Sequence, residues 1–169
     1  REAAEPHLDR GKEIIFELNL KSKEDISQPL IQRRPEIIHG LRNMIQNAID
    51  FANNKVWIVL SWSETDIKIT INDDGPGFPL QMISRIGDPF VSYRKASSPR
   101  FKQIDYQGMG LGLFIAKTLL ERTNARLSFS NGGAKEIENS KNVAQLGAIV
   151  EIVWLRSDIE AQNNLLGEN

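Results

Sequence analysis

Apolar and polar residues alternate along this chain of 169 residues with two distinct periods. Within residues 12–20 every second position is apolar, at Ile14, Phe16, Leu18 and Leu20. This alternation predicts a half-buried strand. Within residues 35–52 apolar residues recur at intervals of three and four, at Ile38, Leu41, Ile45, Ala48, Ile49 and Ala52. That spacing predicts an amphipathic helix, and Pro35 suits its first turn.

A hairpin and a second helix are predicted further along the chain. Residues 56–62 and 66–72 are rich in β-branched and aromatic residues around a short polar turn, which predicts two paired strands. Residues 108–123 predict a glycine-rich turn that runs into a helix. The inner face of that helix is expected to carry Leu111, Ile115, Thr118 and Leu119.

The order of the elements predicts the fold class. Residues 125–130 and 148–155 are predicted to be strands, and residues 29–32 a short edge strand. Residues 75–107 mix prolines, glycines and charges too irregularly for one regular element and form a long connection. The succession of strands, helix, hairpin, loop, helix and hairpin predicts an α+β sandwich, with helices on one face of a mixed sheet.

Composition removes several classes of function. The formal net charge is -1, so no overall basic field points to a nucleic-acid partner. The chain has no cysteine, which excludes disulfides, thiolate metal sites and cysteine nucleophiles. No stretch approaches the roughly 18–20 consecutive apolar residues of a membrane span. The chemistry must therefore be sought in local motifs.

The first motif lies on the long predicted helix. Asn43 and Asn47 are four residues apart, so both amides project from one face, one turn apart. Magnesium prefers hard oxygen ligands and keeps several waters, and an amide oxygen can complete its coordination. Asn47 is therefore a candidate metal ligand. The alternative is that both asparagines belong to a solvated helix face.

Two glycine-containing motifs follow. Asp73, Gly75 and Gly77 come directly after a predicted strand, where a carboxylate can accept an adenine amino hydrogen; a local turn is the alternative. Gly108, Gly110 and Gly112 precede an apolar helix and bring backbone amides to bear on a phosphate. Their spacing matches neither the dinucleotide fingerprint nor the Walker loop. Between the two motifs lies a basic cluster, which is either a solvated loop or a phosphate clamp: Arg94, Lys95, Arg100 and Lys102.

The three motifs in this order resemble the N, G1 and G2 boxes of the GHKL ATP-binding superfamily. The resemblance implies a two-layer α/β sandwich of the Bergerat type that binds ATP and Mg²⁺, with a lid over the nucleotide at about residues 79–107. Phe90 resembles the F box, and Gly147 the glycine of the last box. The implied catalytic residues are Asn43, Asn47, Arg94 and Lys95. The implied nucleotide contacts are Asn43, Asn47, Asp73, Gly75, Gly77, Phe90, Gly108, Gly110, Leu111, Gly112 and Leu113.

Position 43 distinguishes two branches of this superfamily. Members that hydrolyse ATP carry a glutamate one turn before the metal asparagine, but an amide at Asn43 cannot act as a general base. Histidine kinases commonly have asparagine there, because a neutral imidazole nitrogen attacks phosphorus without help. The chain therefore resembles a sensor histidine kinase catalytic domain. Many such kinases have a basic residue followed by a tyrosine at the positions of Asp50 and Phe51, so the chain departs from their pattern there. Residues 47–52 resemble the redox-responsive RegB/PrrB subgroup.

The resemblance also implies features outside this chain. Neither His7 nor His39 has the sequence context of a phosphoacceptor histidine. A dimerising helical hairpin that carries the phosphoacceptor is therefore expected upstream, and a response regulator is expected to receive the phosphate. Residues 1–11 are expected to be a linker, residues 12–156 the ATP-binding domain, and residues 157–169 a tail with little to bury. The full-length protein is expected to be a homodimer anchored in a bacterial inner membrane, with this domain in the cytoplasm. A serine kinase of the anti-sigma-factor type and a non-catalytic nucleotide sensor are the alternatives.

Overall fold

The computed structural model describes residues 1–19, 26–86, 109–132 and 147–161. The strands are β1 (Glu13–Leu18), β2 (Lys55–Trp62), β3 (Asp66–Asp73), β4 (Arg126–Asn131) and β5 (Ala148–Leu155). The helices are α1 (Pro35–Phe51), α2 (Met109–Glu121) and the short α3 (Arg156–Ile159). Two 3-10 turns, Glu5–His7 and Leu80–Arg85, complete the described elements.

The five strands of the described residues form one mixed sheet in the order β1-β2-β3-β5-β4. β1 is parallel to β2, and the other neighbours are antiparallel. Helices α1 and α2 pack against each other, and α1 contacts β3 while α2 contacts β4. The core lies between this helix pair and the sheet and contains Met44, Val56, Ile71, Leu120, Ile152 and Trp154. The predicted α+β sandwich is confirmed.

Helix α2 buries a different face from the one that the sequence predicted. Leu113, Ala116 and Leu120 are buried, whereas Leu111 is 61% and Ile115 39% exposed. The helix is apolar on most of its sides, so its periodicity selects no single face. The packing of α2 against α1 and β4 determines which face of α2 is buried.

Three predictions near the edges of the fold also need correction. β1 is a strand as predicted, but its burial does not alternate: Ile14 is half-buried, whereas Phe16 is 40% and Leu18 67% exposed. β1 is an edge strand of the sheet. Residues 29–32 form no strand; Ile31 makes a single bridge with Glu160. Ile159, which was expected to lie in a tail with little to bury, is only 2% exposed. Leu20 and residues 162–169 lie outside the described residues.

Residues 1–11 pack on helix α1. Ala3, Ala4 and His7 are buried, and the Arg10 guanidinium lies 3.3 Å from the Asp50 carboxylate of α1. Glu2 forms an ion pair with Arg33, just before α1, at 2.6 Å. No helix among the described residues has the length and apolar character needed to cross a membrane.

A buried hydrogen-bond chain fixes the end of α2. The indole Nε1 of Trp154 donates to Oγ1 of Thr123 at 2.9 Å, and this hydroxyl donates to the carbonyl of Leu120 at 2.6 Å. Asn124 follows with a φ of 64°, the left-handed conformation typical of a residue that ends a helix. Thr123 thus ties α2 to β5.

We expect Thr123→Val to lower the free energy of unfolding by about 1–3 kcal/mol, because it leaves the buried indole N–H of Trp154 without an acceptor. Thr123→Ser keeps the hydroxyl and is expected to cost only about 1 kcal/mol or less. Urea denaturation of the three proteins measures both changes. Equal losses for valine and serine would contradict the hydrogen-bond account.

Candidate functional site

The side chain of Asp73, at the end of β3, is a buried carboxylate on the helix-covered face of the sheet. It is 3% exposed. Its Oδ1 accepts hydrogen bonds from the backbone N–H groups of Gly75 at 2.8 Å and Ala148 at 3.2 Å. Burial raises the pKa of Asp73 above its ordinary value, and the neighbouring charge of Asp74 acts in the same direction, while the two backbone hydrogen bonds oppose the shift. Its Oδ2 accepts no hydrogen bond from the described residues.

The backbone approaches Asp73 closely at Gly147. The N–H of Gly147 donates to the carbonyl of Asp73 at 2.6 Å, and Gly132 donates to the carbonyl of Gly147 at 2.9 Å. A Cβ at Gly147 would lie 2.5 Å from Oδ1 of Asp73 and would also collide with the carbonyl oxygen of Gly75. Position 147 therefore accepts only glycine without displacing the carboxylate.

Asp74 has a different environment and a structural role. Its Oδ1 accepts from the backbone N–H groups of Asn54 at 2.9 Å and Lys55 at 3.0 Å, which joins the end of β3 to the start of β2. Partial burial acts to raise the pKa of Asp74, but these hydrogen bonds outweigh it, and the pKa lies below its ordinary value. Of the two adjacent aspartates, only Asp73 lines the pocket described next.

A pocket with about 410 Å³ of empty space, including its open mouth, lies between α1, α2 and the ends of β3 and β5. Apart from Asp73 and Asn47 its walls are apolar, a combination that suits a flat ring with one polar edge. The lining residues are Met44, Asn47, Ala48, Phe51, Ile71, Asp73, Gly77, Phe78, Leu113, Ala148 and Val150.

Asn47 of α1 lines this pocket, and Asn43 lies one turn before it on the same helix. Nδ2 of Asn47 donates to the backbone carbonyl of Asn43 at 3.0 Å. That bond orients the Asn47 amide, and its oxygen has no partner among the described residues. Nδ2 also lies 3.5 Å from the position that a Cβ on Gly112 would occupy, so Asn47 and the first turn of α2 are neighbours. The half-buried side chain of Asn43 makes no hydrogen bond within the described part of the chain.

The structure brings most of the described candidate residues together. Asn47, Asp73, Gly77 and Leu113 line the pocket. Gly75 donates to Asp73, and Gly110, Leu111 and Gly112 lie in the first turn of α2, with Leu111 61% exposed. The other candidates lie outside the described residues: Phe90, Arg94, Lys95, Arg100, Lys102 and Gly108.

Most of the apolar wall residues were not among the site residues that the sequence predicted. Ile71 lies two residues before Asp73 on the same face of β3, and Ala48 and Phe51 lie on α1 beside Asn47, so the strand and helix periods could have identified them. Phe78 lies in irregular chain and carries no periodic signal. Among the described residues no group of three or more histidine, cysteine, aspartate or glutamate side chains could hold a metal ion.

Comparisons with known proteins agree with this geometry. Residues 32–158 match the family described as histidine kinase-, DNA gyrase B-, and HSP90-like ATPase. The chain is 51% identical over 170 residues to the sensor histidine kinase RegB of Cereibacter sphaeroides, covering 100% of this chain and 37% of that protein. It is 31% identical over 121 residues to the sensor histidine kinase CssS of Bacillus subtilis, covering 71% of this chain and 23% of that protein. The chain thus spans well under half the length of these relatives.

Solved structures show the same fold. The mycobacterial sensor histidine kinase MprB has a TM-score of 0.60 at 20% identity and is matched over 90% of both chains. Full-length ShkA in complex with AMPPNP has a TM-score of 0.62 at 21% identity, over 95% of this chain and 29% of ShkA.

The family match over most of the chain and the identity to RegB confirm the membership that the three motifs predicted. The chain belongs to the histidine kinase-, DNA gyrase B- and HSP90-like ATPase family, and within that family it is similar to the sensor histidine kinases.

Proposed function

We propose that the pocket binds ATP with Mg²⁺, and that the domain transfers the γ-phosphate to a histidine on a dimerising helical hairpin elsewhere in the full-length protein. The observation that carries the proposal is the buried Asp73 carboxylate at the base of an apolar pocket, with Asn47 at its border. The phosphate would then pass to an aspartate of a response regulator. The full-length protein would be a homodimer anchored in a bacterial inner membrane, and this domain would lie in the cytoplasm.

The adenine ring would occupy the apolar part of the pocket. Oδ1 of Asp73 already accepts two backbone hydrogen bonds, which leaves Oδ2 to accept from the exocyclic amino group of adenine. Guanine has a carbonyl oxygen at that position, and two acceptors would face each other. The site is therefore expected to prefer ATP over GTP.

The phosphates would lie toward Asn47 and the start of α2. Backbone N–H groups at the start of a helix are unpaired and favour anions, and Gly110 and Leu111, just before Gly112, would supply them. Gly75 and Gly77 would let the chain lie close to the nucleotide. Phe90, Gly108 and the clamp residues Arg94 and Lys95 would complete this end of the site.

Asn47 fits a magnesium ligand because its oriented amide presents an oxygen that no described residue engages. Asn43, one turn away, would contact the metal or a water bound to it. When bound, Mg²⁺ neutralises phosphate charge, and the remaining contribution of the protein to phosphoryl transfer is positioning. An amide at position 43 cannot deprotonate water, so transfer to an imidazole nitrogen is favoured over hydrolysis.

Calorimetric titration with a non-hydrolysable ATP analogue, with and without Mg²⁺, tests this proposal. We expect magnesium-dependent binding and a much weaker response to GTP. Asn47→Ala should weaken binding in Mg²⁺ by about tenfold or more, because an oxygen ligand is lost. Asn43→Ala is the matched control and should have a smaller effect. Equal losses for the two variants would contradict the assignment of Asn47 as the metal ligand.

Asp73→Asn separates recognition of adenine from stability. The amide oxygen can still accept from Gly75 and Ala148, but its NH₂ group would face the adenine amino group, so affinity should fall by about tenfold to a hundredfold. Because the raised pKa of Asp73 reflects the cost of burying its charge, the variant should be no less stable than the wild type near neutral pH. Titration calorimetry and urea denaturation measure the two quantities.

The same pKa predicts how binding depends on pH. The folded pKa lies above the unfolded value of 3.8, so the ionised carboxylate lowers stability above the folded pKa, and this cost disappears as the pH falls below both values. Binding has the opposite trend, because a protonated Asp73 has lost an acceptor. ATP affinity should fall as the pH falls through the raised pKa, and Asp73→Asn should remove this dependence. An unchanged pH profile in the variant would exclude Asp73 as its origin.

We expect that the isolated chain does not phosphorylate itself. With ATP and Mg²⁺ we expect no phosphohistidine, because His7 is buried and His39, on α1, lacks the context of a phosphoacceptor. Phosphorylation should appear when the chain is joined to its natural upstream hairpin, as measured by acid-labile incorporation of labelled phosphate. Stoichiometric phosphohistidine on the isolated chain would contradict this prediction.

A further inference from the structure

The side chain of Asn131, the last residue of β4, forms two reciprocal hydrogen bonds with the backbone of Phe78. Its Oδ1 accepts from the Phe78 N–H at 2.6 Å, and its Nδ2 donates to the Phe78 carbonyl at 2.7 Å. Oxygen and nitrogen of one amide are thus both engaged by one residue. The side chain pairs with Phe78 as a neighbouring strand would.

The segment that Asn131 holds is one wall of the nucleotide pocket. Gly77 and Phe78 both line it, and Phe78 is 9% exposed. Gly77 has a φ of +77°, and residues 76–79 belong to no helix or strand. Within the described residues, the backbone N–H and carbonyl of Phe78 bond only to Asn131. Its amide is therefore the polar anchor of this wall.

Close packing also holds the pocket wall of Gly77 and Phe78 against β4. A Cβ on Gly77 would lie 2.7 Å from Oδ1 of Asn131, so glycine lets the wall approach β4. The ring of Phe78 meets that of Phe129 edge to face, with centroids 6.0 Å apart and planes at 84°. Phe129 precedes Asn131 by two residues and lies on the same face of β4. The wall is thus held by β4 through both a ring contact and an amide.

The end of β4 is also connected to the base of the pocket. Gly132, next to Asn131, donates to the carbonyl of Gly147, and Gly147 donates to the carbonyl of Asp73. Asn131 and Gly132 are adjacent in the chain. The first holds the Phe78 wall, and the second contacts Gly147, which packs against the Asp73 carboxylate. Asn131 itself is not among the residues that line the pocket.

We infer that Asn131 is a positioning residue for nucleotide recognition: it sets the distance between the Phe78 wall and Asp73 and so tunes affinity and base selectivity without touching the nucleotide. The inference rests on the proposed function. Because Asn131 acts on the base end of the pocket, its loss should affect ATP, ADP and adenosine by the same factor. Asn47→Ala, in contrast, should affect only ligands with phosphates and Mg²⁺.

Asn131→Asp tests the inference with almost no change in shape. The carboxylate still accepts from the Phe78 N–H, but it places an oxygen against the Phe78 carbonyl in place of a donor. We expect affinity for ATP, ADP and adenosine to fall by about tenfold each, and the preference for ATP over GTP to narrow. Ser130→Ala, at an exposed neighbour on the opposite face of β4, should leave the nucleotide affinities and the preference for ATP over GTP unchanged.

Thr123→Val controls for general destabilisation, since it weakens the fold at a residue that does not line the pocket. It should keep wild-type affinity and selectivity when folded. If it lost affinity as Asn131→Asp does, or if Asn131→Asp bound all ligands as the wild type does, the inference would be overturned and the proposed function would stand. A wild-type chain that bound no nucleotide would overturn both.

Amide hydrogen exchange of the wild-type chain provides a test that needs no variant. The Phe78 N–H lies in irregular chain and should nevertheless exchange slowly, because Asn131 accepts its hydrogen bond. Exchange as fast as that of an unstructured peptide would overturn the inference.

Discussion

The site depends on how one buried charge is satisfied. The Asp73 carboxylate lies almost out of contact with water, and burying an ionised group is costly unless hydrogen bonds compensate. Backbone N–H groups of Gly75 and Ala148 supply part of that compensation, and they bring together the end of β3, the following turn and the start of β5. Because both donors are backbone groups, they stay in place when side chains move, and they leave the second carboxylate oxygen to a ligand.

The described part of the site holds few fixed charges. Its polar group on α1 is the neutral amide of Asn47, with the amide of Asn43 one turn away, and Asp74 is engaged in joining two strands. A neutral border does not repel phosphates, which suits a site where a cation and backbone dipoles meet the negative charge. In the proposed function the domain therefore holds the nucleotide and orients it, while the nucleophile comes from another part of the protein.

The sequence predicted the elements with strong periodicity better than those with uniform composition. Helix α1 has a polar face as well as an apolar one, and the structure places it within one residue of the predicted bounds. Helix α2 is apolar on most sides, so the predicted face was wrong and Leu111 and Ile115 are exposed. β1 is a strand as predicted, but the predicted face is largely exposed, because no local pattern shows that a strand will lie at the edge of its sheet.

The sequence by itself determined the family of this protein, because residue type and short spacing are enough to define its motifs. Two asparagines one helical turn apart and two glycine motifs in order were enough to predict the family. Only the tertiary structure decided which distant residues complete the site. Asn131 and Phe78 are 53 residues apart, and Ala148 and Asp73 are 75 apart. These residues become neighbours because of the strand order and the close approach of backbone segments, and both exist only once the sheet has assembled.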